Sequence, residues 1–208
     1  KEVVGDAFVI GCVARNQHRK NIPVLIKGFK EFVDRNDLKP KDARLLLHMD
    51  WNDAMGWKFP DFAKQYGIEE YLMPPLMGNL DQGQAPDDKD MAHLYNCMDV
   101  FVLPTAGEGF GIPTVEAMAC GKPNVICNYT TSYELVGADS PQCPPEMLFP
   151  HGMDGDDNMI ESDRGFLIPY KDMMWDTPIR AAPMRALWDE QKAADALEYY
   201  YHNRDVLK

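Results

Sequence analysis

The 208-residue sequence contains no run of about 18 apolar residues, so no segment reads as a membrane-spanning helix. Its start, "KEVVGDAFVIGCVARN", has neither an initiator Met nor a basic-then-apolar leader pattern, and reads as an interior stretch of a longer chain. Its five cysteines, Cys12, Cys97, Cys120, Cys127 and Cys143, include no CxxC pair. An odd, dispersed set argues against a disulfide framework and a zinc site and points to the reducing cytosol. Five histidines without metal-ligand spacing suggest no metal site. "DGDDNMIESD" (154–163) misplaces the glycine and closing glutamate of a calcium loop and reads as a solvated acidic loop. Basic residues are also scarce: 21 Lys and Arg stand against 33 Asp and Glu, a formal net charge of -12. That balance argues against a bulk electrostatic grip on nucleic acid or an anionic membrane. An anionic ligand must then be caught by a small local cluster of bases and backbone amides.

What is present is ordinary for a soluble globular domain, with 45% apolar and 26% charged residues and no internal repeat. Short apolar runs at 7–13, 43–49, 99–104 and 123–127, with a weaker one at 165–169, predict buried strands. Between them lie helix-periodic segments at 21–36, 59–67, 88–98, 113–121 and 131–137. The alternation predicts an α/β fold, a doubly wound parallel sheet with helices on both faces and ligands beyond the C-terminal strand ends. One domain over 1–208 is expected, with an irregular Pro/Asp/Gly-rich insertion at about 138–164 and a helical segment at about 183–208.

Two loops carry the chemistry. After the first strand, "VARNQHRKN" places Arg15 and Lys20 five residues apart, before a helix starting near Ile22 and Pro23. Arg offers a planar fork to phosphate oxygens and Lys a point charge; taken alone, the loop would read as a solvated basic turn. After the fourth strand, "TAGEGFG" enters a helix near Ile112 and Pro113. The amides of Gly109, Phe110 and Gly111 suit a diphosphate there, and glycine lets the backbone approach closely. Glu108 and Glu116 flank those amides. Either could merely favour the helix dipole, but a carboxylate also accepts two hydroxyl hydrogen bonds, which suits a ribose or sugar diol. Together the groups fit a ligand anionic in its middle and polyhydroxylated at both ends, a nucleotide sugar. The GxGxxG spacing of a dinucleotide fold is absent. His48, Met49 and Asp50, after the second strand, are lesser candidates for the crevice, as is Trp175 for covering a ligand.

In their order, "ARNQHRKN", "DVFVLPTAGEGFGIPTVEAMACGKPNVI" and "SYELV" resemble the donor-binding half of a GT-B glycosyltransferase of the GT4 group, over roughly residues 7–137. The E-x7-E motif of that group would be Glu108 to Glu116. The resemblance implies a Rossmann-like C-terminal donor domain transferring a sugar from a UDP- or GDP-sugar with retention of configuration and no metal or other cofactor. It implies that Arg15 and Lys20 bind the diphosphate and stabilise it as it leaves. Glu116 would hold the ribose and Glu108 the donor sugar near the reacting carbon, with Gly109, Phe110, Gly111 and Ile112 completing the donor site. Two positions depart from the pattern, Ala14 and Asn21 standing where glycine is usual; Asn21 tolerates unusual backbone angles. The resemblance implies an acceptor-binding N-terminal domain outside this sequence, so the isolated chain is expected to bind donor without turnover. A nucleotide-sugar epimerase, a phosphorylase-like transfer and a non-catalytic nucleotide-sugar binding module are the competing readings.

Overall fold

The structure, a computed structural model, describes residues 4–54, 56–76, 86–137, 159–175 and 184–207. The described residues form a seven-stranded sheet of order β3-β2-β1-β4-β5-β7-β6. Its strands are β1 (Phe8–Val13), β2 (Ala43–His48), β3 (Leu72–Met73), β4 (Val100–Leu103), β5 (Asn124–Cys127), β6 (Ile160–Ser162) and β7 (Gly165–Ile168). All neighbours pair in parallel except β6, which runs antiparallel to β7. Every residue of β1, β4, β5 and β7 is buried, because helices cover both faces of such a sheet; the strands therefore read as continuous apolar runs. The fold is α/β and Rossmann-like.

Five α-helices are described: α1 (Ile22–Arg35), α2 (Phe59–Tyr66), α3 (Asp88–Asn96), α4 (Ile112–Ala119) and α5 (Glu190–His202). The buried stripe of α1 is Ile22, Leu25, Ile26, Phe29, Phe32 and Val33. Its Gly28 lets α5 come close, since a Cβ there would stand 3.1 Å from the Glu190 carbonyl oxygen. None of the described helices is long and apolar enough to cross a membrane.

Three segments differ from the sequence expectation. The tail expected to be helical from 183 begins instead with strand β9 (Met184–Trp188), which pairs antiparallel with β8 (Tyr170–Trp175) in a separate hairpin, and helix starts only at Glu190. Met184, Leu187 and Trp188 mimic helical spacing, but pairing with β8 satisfies the backbone before Asp189 caps α5 through the amides of Gln191 and Lys192. The segment Tyr133–Gly137 closes as a π-turn rather than an α-helix. Of the 138–164 insertion, residues 138–158 lie outside the described residues, while 160–162 form β6.

The strand order reverses between β1, flanked by β2, and β4. The crevice beyond their C-terminal ends is the topological switch point, where ligands settle in open α/β sheets.

Candidate functional site

Leaving β1, the chain is held by Asn16, which is fully buried. Its side-chain amide donates to the carbonyls of Asp50 (3.0 Å) and Trp57 (3.1 Å), and its Oδ1 accepts from the Trp57 amide (2.8 Å). This latch ties the loop to the segment after β2. A 3-10 turn, His18–Lys20, then leads through Asn21 into α1. Asn21 adopts φ 49, the left-handed region, where its short side chain is tolerated better than most.

The second loop leaves β4 and ends at Gly111, whose φ of 88 starts α4. Between them, Thr105 is buried and its hydroxyl donates to the Gly107 carbonyl (3.1 Å). Arg19 Nη1 donates to the same carbonyl (2.9 Å) and lies 3.3 Å from Glu108 Oε1. Lys20 Nζ donates to Glu108 Oε1, with the two side chains 6% and 10% exposed. Burial alone would raise the Glu108 carboxyl; the Lys20 ammonium, aided by Thr105 and Arg19, outweighs it and holds the group below its ordinary value. The Glu108 amide donates to Thr130 Oγ1 (3.0 Å). Thr130 has φ 56, a strained backbone for a β-branched residue.

Among the described residues, the amides of Gly109, Phe110 and Gly111, at the N-terminus of α4, meet no protein acceptor, as expected of a helix start. Phe110 and Ile112 are exposed. One turn into α4, Glu116 Oε2 accepts from the Tyr95 hydroxyl of α3 at 2.7 Å. Burial, then this hydrogen bond, pushes the Tyr95 phenol far up, so it stays a donor.

A pocket of about 290 Å³ opens here, lined by Arg19, Gly107, Glu108, Gly109, Thr130 and Arg185. Of the residues expected from sequence, the structure brings Glu108 and Gly109 to its wall and sets Lys20 directly behind Glu108. Arg15 points elsewhere: its side chain is 71% exposed and pairs with Asp53 at 3.4 Å. Arg19, Thr130 and Arg185 escaped the sequence reading. The basic run "HRK" signalled Arg19, whereas no local pattern signals Arg185. His48 is buried, its Nδ1 has no hydrogen-bond partner among the described residues, and burial lowers its pKa. Neither it, Met49, Asp50 nor Trp175 lines the pocket.

Comparison with known proteins bears on the family and the fold. The chain is 33% identical over 139 residues to O-antigen chain mannosyltransferase B of Escherichia coli, covering 64% of this chain and 31% of that protein. It thus spans under a third of the length of the first curated relatives it matches. A solved C-terminal domain of a glycosyl transferase group 1 family protein from Francisella tularensis superposes with TM-score 0.60 at 17% identity, covering 96% of this chain and 78% of that one. Anabaena Alr3699/HepE, solved in complex with UDP and glucose, superposes with TM-score 0.60 at 17% identity, covering 99% and 42%. The family model described as glycosyl transferases group 1 matches residues 7–153, most of the chain, and the chain belongs to that family.

Proposed function

We propose that the crevice binds a nucleotide-diphosphate sugar, and that the chain is the C-terminal donor half of a GT-B, GT4-type glycosyltransferase that retains anomeric configuration. The carrying observation is the buried Lys20–Glu108 pair beside the N-terminus of α4, where the amides of Gly109, Phe110 and Gly111 meet no acceptor among the described residues. In transfer, the bond between the anomeric carbon and the diphosphate oxygen breaks and the electron pair leaves with the phosphate. Lys20 and the amides of Gly109, Phe110 and Gly111 neutralise that charge, the kind of stabilisation that is often the largest catalytic contribution. Cations and amides take this role in place of a metal. Arg15 joins them by leaving Asp53; an exposed pair of this kind is worth under about 1 kcal/mol, so the move costs little. Glu108 holds the sugar near the reacting carbon, Glu116 the ribose, and Phe110 and Ile112 flank the donor. The acceptor is held by an N-terminal domain of the parent protein, so the chain alone binds without turnover. We place the reaction in the cytosol, the compartment that suits its scattered thiols.

Calorimetric titration with UDP-glucose and GDP-mannose tests the reading; the mannosyltransferase relative makes GDP-mannose the favoured arm. One donor is expected to bind, at least about tenfold more weakly to Glu116→Ala and to the double variant Arg15→Ala/Lys20→Ala. Absence of binding by both the chain and its full-length parent would overturn the proposal.

Tyr95 offers a finer check. It touches no ligand and acts by fixing the Glu116 carboxylate. Tyr95→Phe is expected to weaken nucleoside diphosphate binding by about five- to tenfold, the worth of one hydrogen bond to a charged group. Inorganic pyrophosphate, which has no ribose, should bind as before; equal losses for both ligands would reduce Tyr95 to a packing role.

A further inference from the structure

We infer that Thr130 is a positioning residue of the donor site: its hydroxyl fixes the glycine-rich turn that carries Glu108 and the amides of Gly109 and Phe110. The inference rests on the donor-site reading above and deepens it by naming what holds those groups before a ligand arrives. Gly107, Gly109 and Gly111 alternate through the turn, with φ 144 at Gly107 and 88 at Gly111, so its own backbone has little stiffness. Two side chains from the loop after β5 supply what it lacks. Thr130 Oγ1 accepts from the Glu108 amide (3.0 Å), and Thr131 Oγ1 donates to the Phe110 carbonyl (3.2 Å). The two tethers thus grip opposite ends of the stretch centred on Gly109.

Among the described residues, three that are not glycine have a left-handed φ: Asn21, Asp37 and Thr130. Asn and Asp visit that region because a short polar side chain bonds locally, whereas a β-branched residue resists it. Thr130 is held there from both sides. Before it, the amides of Asn128 and Tyr129 donate to the carbonyls of Ile168 and Cys127, each at 2.8 Å. The Tyr129 hydroxyl reaches the Met184 carbonyl of β9 (3.1 Å), and the Ala186 carbonyl of the same strand accepts from the side-chain amide of Asn21 (3.0 Å). After it, the Thr131 carbonyl accepts from the Leu135 amide (3.2 Å). The Thr130 hydroxyl donates to the Tyr129 carbonyl (2.7 Å), which aims its lone pairs at the Glu108 amide. Glycine would suit this backbone better but brings no hydroxyl. Thr130 is exposed on the pocket wall, so core packing does not account for the strain.

A turn already held in its binding conformation spares the ligand the cost of ordering it. Lys20 and Arg19 hold the Glu108 carboxylate, whereas Thr130 holds the backbone that presents it together with the amides. Glu108 faces the donor sugar in the reading above, so the turn meets the phosphate next to that sugar. A nucleoside monophosphate lacks that phosphate.

Calorimetry and thermal melts on the whole chain test this, with GDP and GMP, or UDP and UMP if the uridine series binds. The variants are Thr130→Gly, Thr130→Ser and a control, Asp37→Gly; Asp37 shares the left-handed backbone but pairs with Lys39, outside the pocket. Thr130→Gly relieves the strain, so it is expected to melt no lower than the wild type. It should nonetheless bind the diphosphate about three- to tenfold more weakly, the worth of one neutral hydrogen bond, and the monophosphate less than about twofold more weakly. Thr130→Ser keeps the hydroxyl and should bind like the wild type, as should Asp37→Gly. A merely structural Thr130 would make affinity follow stability. The inference is overturned if the glycine variant binds the diphosphate as tightly as the wild type, or if it melts several degrees lower. It is overturned equally if serine fails to keep the affinity, or if mono- and diphosphate lose alike. A wild-type chain and parent that bind no nucleotide overturn the donor-site reading itself and this inference with it.

Discussion

Lys20→Met is expected to destabilise the fold by about 3 kcal/mol or more at neutral pH, the cost of stripping one partner from a buried ion pair. Met fills the Lys20 site with a similar shape, so the loss reports on the Glu108 carboxylate left behind rather than on a void. The pH dependence gives the signature. In the wild type the lowered carboxyl stabilises the fold above its unfolded value, near 4.5, and that contribution is lost as pH falls through the folded value. Without Lys20 the largest lowering influence is gone, Thr105 and Arg19 remain against burial, and the carboxyl rises, so the deficit is greatest at neutral pH and narrows in acid as Glu108 takes up a proton. Urea unfolding at pH 7 and pH 5 measures it. A deficit independent of pH would mean that Arg19, already 3.3 Å from Glu108 Oε1, takes over the pairing. Adding Glu108→Leu should restore most of the stability, because apolar packing replaces a buried pair well. It should not restore donor binding, which separates the pair's chemical role from its structural one.

A second large effect is expected at Gly165→Ala. Gly165 has φ 137 and pairs with Asn124 across the β5–β7 ladder; a Cβ would sit 1.9 Å from the Asn124 carbonyl oxygen and 2.5 Å from its amide nitrogen. Both are backbone atoms, and the same amide accepts no easy shift because it donates to the Arg164 carbonyl at 2.9 Å. Relief requires the ladder to open. The expected cost exceeds about 4 kcal/mol, a large share of the roughly 5–15 kcal/mol that holds a domain together. For a chain of this size the melting temperature should fall by about 10 °C or more. A drop of only a few degrees would mean that β7 can shift along β5.

The parallel strands were legible because burial on both faces writes them as uninterrupted apolar runs, as in β1 and β2. Two-residue β3 leaves no such run, and β9 is partly buried, so "MRALW" satisfies helical spacing as well as strand pairing. In the site, the sequence placed both loops at C-terminal strand ends, but their meeting at Glu108 rests on β1 and β4 being neighbours in the sheet. The left-handed backbone of Asn21, standing where glycine is usual, was likewise readable. The position of Arg15 was not. It depends on Asn16 drawing in the segment after β2, which brings Asp53 within reach. Arg185 depends on the docking of a hairpin, and no spacing along the chain encodes that.

The Asn21 bond to the Ala186 carbonyl joins residues 165 positions apart, and the Lys20 bond to Glu108 joins residues 88 apart. Closing such long loops costs chain entropy before any contact repays it, and contacts of this separation slow folding. Synthesis delivers the N-terminal end first, so a growing chain holds the Lys20 turn long before the strand that receives Asn21 exists. The cradle is thus among the last features the chain can complete, and ligand binding would report that the whole domain, not merely its sheet, has been assembled.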